Sequence, residues 1–354
     1  MNIRRSEGER RYEKPTSFRI YELHDNVQPN PGQSEGRAEH GRGGIEMNNR
    51  IVPKKQEQKG VFSIQYLGKF CVLCDMSLQI ASINSGSNGN CYYVGNGTEA
   101  ILVDAGISCK ETEQRMERLN LSMDKVRAIF VSHEHIDHIR GVSQLSKKYA
   151  LPVYINPGTL RYSGIRANKE NIFHFNHHEK ISIGDLTVVA FNKHHDAQDP
   201  VSFIIEHEGI KVGVITDIGV VCKTVIHYFR QCHACFLESN YDEQMLQEGG
   251  YPKRLKKRIS GGRGHISNVE ALELFKKHKA GYLNHLLLGH LSQVNNRPEL
   301  VEELYQSYQD DLTIAIASRD RESNLFEIDH PVRGKIIPLS VKKESMQLDL
   351  FFQE

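Results

Sequence analysis

Four side chains of metal-binding types lie within six residues of one another, at His133, His135, Asp137 and His138. They follow the apolar run 128–131, which predicts a buried strand. Because residues two apart in an extended segment point the same way, His133 and His135 can bind one ion. Asp137 and His138, where the chain turns toward a helix, can reach a second ion. Imidazole nitrogen and carboxylate oxygen favour zinc, manganese or iron over calcium.

Two other interpretations of this segment fit less well. The zinc-protease motif H-E-x-x-H needs a second histidine at position 137, where the chain has Asp137. A polar, histidine-rich loop would carry its histidines without order, whereas H-x-H-x-D-H directly after an apolar strand is a far more demanding pattern. We therefore expect a site for two divalent metal ions, Zn²⁺ or Mn²⁺.

The composition indicates a globular protein with one large domain and additional segments. The chain has 354 residues, of which 39% are hydrophobic and 25% charged. Its net charge of +1 gives no overall attraction to nucleic acid. Seven cysteines without a secreted-scaffold pattern indicate reduced thiols and a cytoplasmic location. No signal peptide and no long apolar run are evident, so no membrane association is expected.

Three regions of the chain differ in their patterns. Residues 1–75 are polar over most of their length, and we predict that they are disordered or an over-extended start, with Met76 as the biological first residue. Residues 76–328 alternate between strand and helix patterns and form the predicted catalytic domain. Residues 329–354 have little core pattern and are predicted to be a flexible tail.

Within the central region we predict twelve strands and five helices, with sheets packed together and helices outside. One long strand is predicted over residues 181–191 and one helix over 139–149. Two helices are predicted to begin with capping boxes, Ser108–Glu111 and Ser267–Glu270.

Three further metal-binding side chains follow predicted strands, at His195, Asp217 and His290. Strand ends in open α/β architectures present loop residues to a common cleft. We therefore expect these side chains to lie near the 133–138 motif. Of the adjacent histidines at 194 and 195, only one should face the cleft, because neighbouring side chains on a strand point opposite ways.

The motif and the strand-end residues resemble those of the metallo-β-lactamase-fold hydrolases, over roughly residues 78–328. The resemblance implies an αββα sandwich with two metal ions, and it selects His195 over its neighbour. It assigns seven ligands: His133, His135 and His195 to the first ion, Asp137, His138 and His290 to the second, and Asp217 to a bridge between them.

Four segments resemble the bacterial YycJ/WalJ-like group of that superfamily: Ser85–Asn90, His195–Pro200, Gly264–Asn268 and His290–Asn296. The resemblance implies a 5′-to-3′ exonuclease on double-stranded DNA that acts in replication or repair. Tyr241 departs from the pattern, because a histidine is expected there. The same segments supply candidate substrate contacts, namely Ser85, Asn88, Asn90, Ser292, Asn295 and Asn296.

The candidate catalytic residues are Asp137 and His265. His265 resembles the proton-transferring histidine of tRNA 3′-processing relatives and could protonate the leaving alkoxide. Six basic residues fall within the eleven positions 253–263, just before it. A charge run is usually a solvated face, but one beside a proposed acid favours a phosphate backbone. The candidate contacts in this run are Lys256, Lys257, Arg258 and Arg263.

The segment Gln347-Leu-Asp-Leu-Phe351 near the end of the chain resembles the peptide that binds the bacterial sliding clamp. Leu348, Leu350 and Phe351 would enter apolar pockets of the partner, next to Gln347. The alternative is an apolar end that packs back onto the domain. A clamp-bound tail would raise the local concentration of the enzyme on DNA.

Together these patterns favour a two-metal DNA nuclease. The alternatives are an RNA-processing nuclease of the same fold and a small-molecule ester or thioester hydrolase, for which the basic run would be incidental. A non-catalytic binding module is disfavoured, because the ligand set is complete.

Overall fold

The structure, a computed structural model, describes residues 77–310 and 312–329, which contain fourteen strands and nine α-helices. The strands are β1 (Leu78–Asn84), β2 (Cys91–Gly95), β3 (Ala100–Val103), β4 (Val126–Phe130), β5 (Val153–Tyr154), β6 (Ile172–Phe173), β7 (Lys180–Ile183), β8 (Leu186–Asn192), β9 (Val201–His207), β10 (Ile210–Ile215), β11 (Ala234–Glu238), β12 (His285–Gly289), β13 (Thr313–Ile316) and β14 (Phe326–Ile328). The helices are α1 (Cys109–Arg118), α2 (Ile136–Ile139), α3 (Val142–Tyr149), α4 (Pro157–Ser163), α5 (Lys223–Phe229), α6 (Glu243–Glu248), α7 (Lys253–Ser260), α8 (Asn268–His278) and α9 (Pro298–Tyr305).

The strands form two seven-stranded mixed sheets. The first has the order β14-β1-β2-β3-β4-β5-β6, and the second has the order β13-β12-β11-β10-β9-β8-β7. Strands β3 and β4 are parallel, and so are β10, β11, β12 and β13. Because parallel strands end at the same edge of a sheet, the residues that follow them are brought together there.

The two sheets pack face to face around a buried apolar core. Phe130 of the first sheet meets Phe203 of the second with ring centroids 5.7 Å apart, and Tyr92 meets Phe236 at 4.9 Å. Alternate residues of β2 point to the opposite face of the first sheet, where Tyr93 belongs to a separate apolar core.

Helices cover both outer faces, which completes the predicted αββα sandwich. Met116 of α1 and Leu145 of α3 pack on the first sheet, whereas Phe229 of α5 and Phe275 of α8 pack on the second. The fold prediction is confirmed. No helix in the described ranges has the length and apolar character that crossing a bilayer requires.

Two element predictions are wrong in their bounds. The segment 181–191 is a hairpin of β7 and β8 and not one strand, because Gly184 adopts a φ of +56° and turns the chain. The predicted helix 139–149 corresponds to α3, which begins only at Val142, because α2 ends at Ile139 and Gly141 lies between them, where a Cβ would lie 2.2 Å from the Ile107 carbonyl oxygen. Helices α4, α6 and α7 are short and were not predicted.

One of the two predicted capping boxes forms. At Ser267 both reciprocal bonds with Glu270 are present. Ser108 caps α1 in one direction only, because the Glu111 carboxylate binds Arg115 one turn later, at 2.6 Å. An i,i+4 ion pair on the helix surface has replaced the return bond.

Candidate active site

Three imidazoles converge where β4 and β8 end. The Nε2 atom of His133 lies 3.1 Å from His135 Nδ1, and His195 Nε2 lies 3.3 Å from the same atom. His133 and His195 are buried, whereas the adjacent His194 is exposed. These three side chains could share one ion, with imidazole nitrogen ligands that suit zinc and manganese.

A second group of ligand atoms lies beside the first. Asp137 Oδ2 is 3.7 Å from His138 Nε2 and 3.8 Å from His290 Nε2. Asp217 stands between the groups, since its Oδ2 is 3.4 Å from His138 Nε2 and its Oδ1 is 3.9 Å from His195 Nε2. This placement would allow Asp217 to bridge two ions.

Unsatisfied buried atoms at this point fit metal binding. Asp217 Oδ2 and His290 Nε2 are both buried and have no hydrogen-bond partner within the described ranges. Buried polar atoms of folded proteins are nearly always satisfied, so these two atoms call for a ligand. A pair of divalent ions held by the seven side chains would satisfy both.

The charge balance of the metal-free pocket also fits cations. Burial lowers the pKa of His195 to about 3, so this imidazole is neutral and free to bind metal. Burial would lower the pKa of His290 too, but Asp217, Asp137 and Glu238 raise it to about 10. The carboxylates thus attract positive charge, and metal binding would release protons from the pocket.

Backbone geometry is unusual at the same place. Among the described residues seven non-glycines have a positive φ, and three of them are Asp104 (60°), Asp217 (55°) and His290 (57°). Each lies just after a strand, β3, β10 or β12. Left-handed conformations of non-glycine residues tend to occur at functional sites, where the surrounding structure holds them.

Other groups fix the orientation of the ligand rings. Asp104 Oδ2 lies 2.7 Å from His138 Nδ1, and Asp104 Oδ1 accepts the Ser132 N–H. His195 Nδ1 donates to the Gly264 carbonyl oxygen at 2.8 Å. Because the second nitrogen of each ring is engaged, Nε2 of each faces the other ligands.

A buried carboxylate connects His265 to the metal-binding group. Glu238 Oε1 lies 2.8 Å from His265 Nδ1 and 3.0 Å from His290 Nδ1, and Glu238 Oε2 accepts the Ile218 N–H. Burial would raise the pKa of Glu238, but His265 and His290 lower it to about 2. Glu238 is therefore an anion that orients both rings, and the partly exposed His265 keeps Nε2 for another partner.

A family comparison accounts for this arrangement. The model of the β-lactamase superfamily domain matches residues 99–290, which include all seven candidate ligands. The chain belongs to the β-lactamase superfamily. The metallo-β-lactamase fold protein YhfI from Bacillus subtilis has the same fold, with a TM-score of 0.56 at 18% identity over 71% of this chain and 99% of that one.

Two relatives place the chain in the YycJ/WalJ-like group of this superfamily. Exodeoxyribonuclease YycJ from Bacillus anthracis is 36% identical over 230 residues, 64% of this chain and 86% of that protein. Exodeoxyribonuclease WalJ from Streptococcus pneumoniae serotype 2 is 30% identical over 235 residues, 64% of this chain and 87% of that protein. The chain is accordingly a metal-dependent hydrolase.

The loop between β1 and β2 borders the pocket formed by the candidate metal ligands. Asn90 Nδ2 lies 3.1 Å from His138 Nε2, and the exposed Asn88 donates to the Arg319 carbonyl. Ser85 is buried, and its Oγ accepts the His290 N–H at 2.8 Å. Ser85 therefore helps to position His290, and its role as a substrate contact stays a prediction.

The candidate substrate contacts in the segment after His290 also differ in burial and in hydrogen bonding. Asn296 is buried and donates to the carbonyl oxygens of Ser239 and Asn240, so it holds the chain after β11 in place. Asn295 is fully buried, and its side-chain amide has no hydrogen-bond partner within 77–310 and 312–329. Ser292 is half-buried and lines an open cleft, to which Asn296 also contributes.

The basic run forms the exposed helix α7 and the loop that follows it. Lys257 and Arg263 are exposed, and Lys256 is half-buried against the Gln247 carbonyl. Arg258 pairs with Asp196 at 2.5 Å, next to the ligand His195. The run thus adjoins the pocket, as expected for a surface that guides a phosphate backbone.

Two supporting residues, Asp104 and Glu238, were absent from the predicted site. Both come at the end of an apolar strand, the signal that identified Asp217 and His290, but neither stands in a motif with histidine. The predicted N-terminal region 1–75 and the clamp-binding residues lie outside the described residues, the latter being Gln347, Leu348, Leu350 and Phe351.

Proposed function

We propose that this metal-dependent nuclease is a two-metal phosphodiesterase that degrades double-stranded DNA from the 5′ end, in the cytoplasm, during replication or repair. The observation that carries the proposal is the convergence of seven candidate metal ligands beside His265, a partly exposed histidine whose Nδ1 a buried glutamate engages. The names of the YycJ and WalJ relatives support DNA as the substrate.

The reaction needs a nucleophile, charge neutralisation and a proton for the leaving group. When bound, two divalent ions, Zn²⁺ or Mn²⁺, supply Lewis acidity that favours ionisation of water and stabilises negative charge on the phosphate. The seven side chains would hold the ions, and Asp137 among them is partly exposed. His265, held at Nδ1 by Glu238, donates a proton from Nε2 to the leaving oxygen.

The surface beside the pocket fits a polyanion. Helix α7 presents Lys253, Arg254 and Lys257 to solvent, and Arg263 follows two residues before His265. Because the net charge of the chain is only +1, attraction depends on this local concentration of positive charge. The proposal therefore predicts substrate affinity that falls with salt.

The decisive experiment compares 5′- and 3′-labelled duplex DNA, duplex RNA and a chromogenic ester, each with Mn²⁺ or Zn²⁺. We expect the wild-type protein to shorten duplex DNA from the 5′ end, and the Asp137→Ala variant to lose this activity, because that carboxylate lies in the second ligand group. Cleavage of RNA alone would identify the RNA-processing alternative. Turnover of the ester alone, abolished in Asp137→Ala, would identify a small-molecule hydrolase.

We also propose that residues 347–351 bind the bacterial sliding clamp. The support is the sequence pattern Q-L-D-L-F, whose glutamine and apolar residues suit a peptide that enters pockets of a partner. Such a tether would act by effective concentration and would leave the chemical step unchanged.

Replacing Gln347, Leu350 and Phe351 together with alanine is expected to abolish recovery of the full chain on immobilised clamp, because the pocket-filling groups are lost. Lys342→Ala, outside the pattern, is the control and should be recovered like the wild type. Digestion of a short free duplex should continue at the wild-type rate in both. Undiminished recovery of the triple variant would rule out this segment as the clamp ligand.

A further inference from the structure

A cleft of about 620 Å³ opens beside the pocket of candidate metal ligands. Its walls come from the β1–β2 loop, the segment between β12 and α9, the first turns of α9, and the end of β13 with the segment after it. Ser85, which accepts the backbone N–H of the ligand His290, lines it. A residue that lines the cleft is therefore in direct contact with the candidate metal ligand His290.

Arg319 lines this cleft with an incompletely satisfied guanidinium. Its Nη2 is buried and has no hydrogen-bond partner in the part of the chain that the structure describes. The guanidinium packs on Gly86, where a Cβ would come within 2.9 Å of Nη2. Arg319 as a whole is half-buried. A guanidinium with an unsatisfied nitrogen needs an acceptor, and phosphate oxygens match its geometry.

The segment that carries Arg319 is fastened to the loop at the pocket. The Ser85 N–H donates to the Ser318 carbonyl at 3.0 Å, and Asn88 Nδ2 donates to the Arg319 carbonyl at 2.9 Å. The same loop presents Asn90 to the ligand rings. Arg319 thus has a fixed position relative to the reaction centre.

The remaining walls are mixed in character. Leu291, Pro298 and Ile316 give apolar surface, and Ser292 and Arg321 give polar groups. Three carboxylates, Glu299, Glu302 and Asp320, also line the cleft, so it is not a uniformly cationic track. A phosphate beside an apolar base or sugar suits this mixture, and the volume is in the range of small-ligand sites.

We propose that this cleft binds the nucleotide next to the scissile phosphodiester, with Arg319 binding the phosphate of that nucleotide. The inference depends on the proposed nuclease function and adds a substrate subsite to it. Arg319 is a substrate-binding residue here, and Gly86 is the small residue that lets the guanidinium reach its position.

The test compares the Arg319→Ala, Arg319→Lys and Arg127→Ala variants of the full chain. Arg127 is an exposed arginine on β4, at the end of that strand opposite to His133. We expect Arg319→Ala to raise KM for duplex DNA about tenfold or more, the effect of losing one hydrogen bond to a charged group. The salt slope of log KM should fall by about one. The lysine variant should be intermediate, and Arg127→Ala should match the wild type.

The same variants are assayed on 5′-phosphorylated and 5′-hydroxyl duplexes and on bis(p-nitrophenyl) phosphate. A loss confined to the 5′-phosphorylated duplex identifies a terminal phosphate in the cleft, and an equal loss on both duplexes identifies a backbone phosphate. Because the small ester carries no neighbouring nucleotide, the ratio of its turnover to duplex turnover should rise at least several-fold in Arg319→Ala. Equal losses on all substrates, or a KM and salt slope like those of Arg127→Ala, would overturn the subsite. Absence of duplex digestion by the wild type would instead overturn the proposed function.

Discussion

Replacing Asp217 with asparagine is expected to remove the bound metal ions and to lower the rate of duplex hydrolysis. Loss of a residue that only supports a metal ligand lowers activity by up to ~100-fold, and loss of Asp217 itself should lower it by more. Asp217 is the one candidate ligand whose oxygens approach nitrogen atoms of both groups, His138 at 3.4 Å and His195 at 3.9 Å. An amide keeps the shape but lacks the negative charge between two cations, so both ions should be bound weakly.

Asparagine is the appropriate substitution because Asp217 has a φ of 55°. Asparagine adopts the left-handed region more readily than other non-glycine residues, so the backbone turn after β10 should persist. Alanine would add backbone strain to the loss of the ligand and would confuse the two effects.

The measurements are metal content per chain by mass spectrometry, the rate of duplex digestion, and the thermal unfolding midpoint with and without Mn²⁺ or Zn²⁺. In the wild type each ion should raise the midpoint, since a ligand that binds only the folded state stabilises it. Asp217→Asn should lose most of that rise, whereas the exposed Asp124→Ala should retain it. A variant that keeps two ions and its activity would show that Asp217 is not the bridge.

The parts of this site that the sequence predicts are those encoded locally. The H-x-H-x-D-H motif places four ligands within one strand-to-helix turn, where side-chain direction follows from backbone periodicity. His195, Asp217 and His290 follow strands, and strand ends gather at one edge. The selection of His195 over its neighbour agrees with burial, since His194 is exposed.

The groups that the sequence does not predict act through contacts between distant positions. Asp104 meets His138 across 34 positions, and Glu238 meets His265 across 27. Neither pair has a fixed spacing that a pattern could reveal. The proposed substrate subsite at Arg319 depends on Gly86, which lies 233 positions earlier in the chain, so no local sequence pattern predicts it.

Local chemistry also explains the elements that were predicted incorrectly. Residues 181–191 look like one apolar strand, because the turn at Gly184 and Asp185 interrupts the pattern by only two residues. Helix α7 has no buried residue, and its two apolar residues, Leu255 and Ile259, are too few to predict a helix among so many basic residues. The basic residues that keep this helix out of the core are the ones that the proposed function assigns to the attraction of DNA.

Replacing His265 with alanine is expected to lower kcat on duplex DNA by about 10²–10⁴-fold, the usual contribution of a general acid. The alkoxide that leaves a phosphodiester of DNA is a strong base and needs a proton. His265 is placed for this role because Glu238 engages its Nδ1 at 2.8 Å and because it is partly exposed beside the ligands His195 and His290.

The leaving group separates proton donation from a structural role. The p-nitrophenolate released from bis(p-nitrophenyl) phosphate is stable as an anion, so its departure needs no acid. His265→Ala should therefore lose far less activity on this ester than on DNA, while its metal content stays at the wild-type value. His194→Ala removes an exposed imidazole next to a ligand and should behave like the wild type on both substrates. A missing acid slows only substrates with poor leaving groups, whereas a defect in the metal ligands slows every substrate. Equal losses of activity on both substrates would therefore show that His265 acts by holding His290 and the ions in place through Glu238.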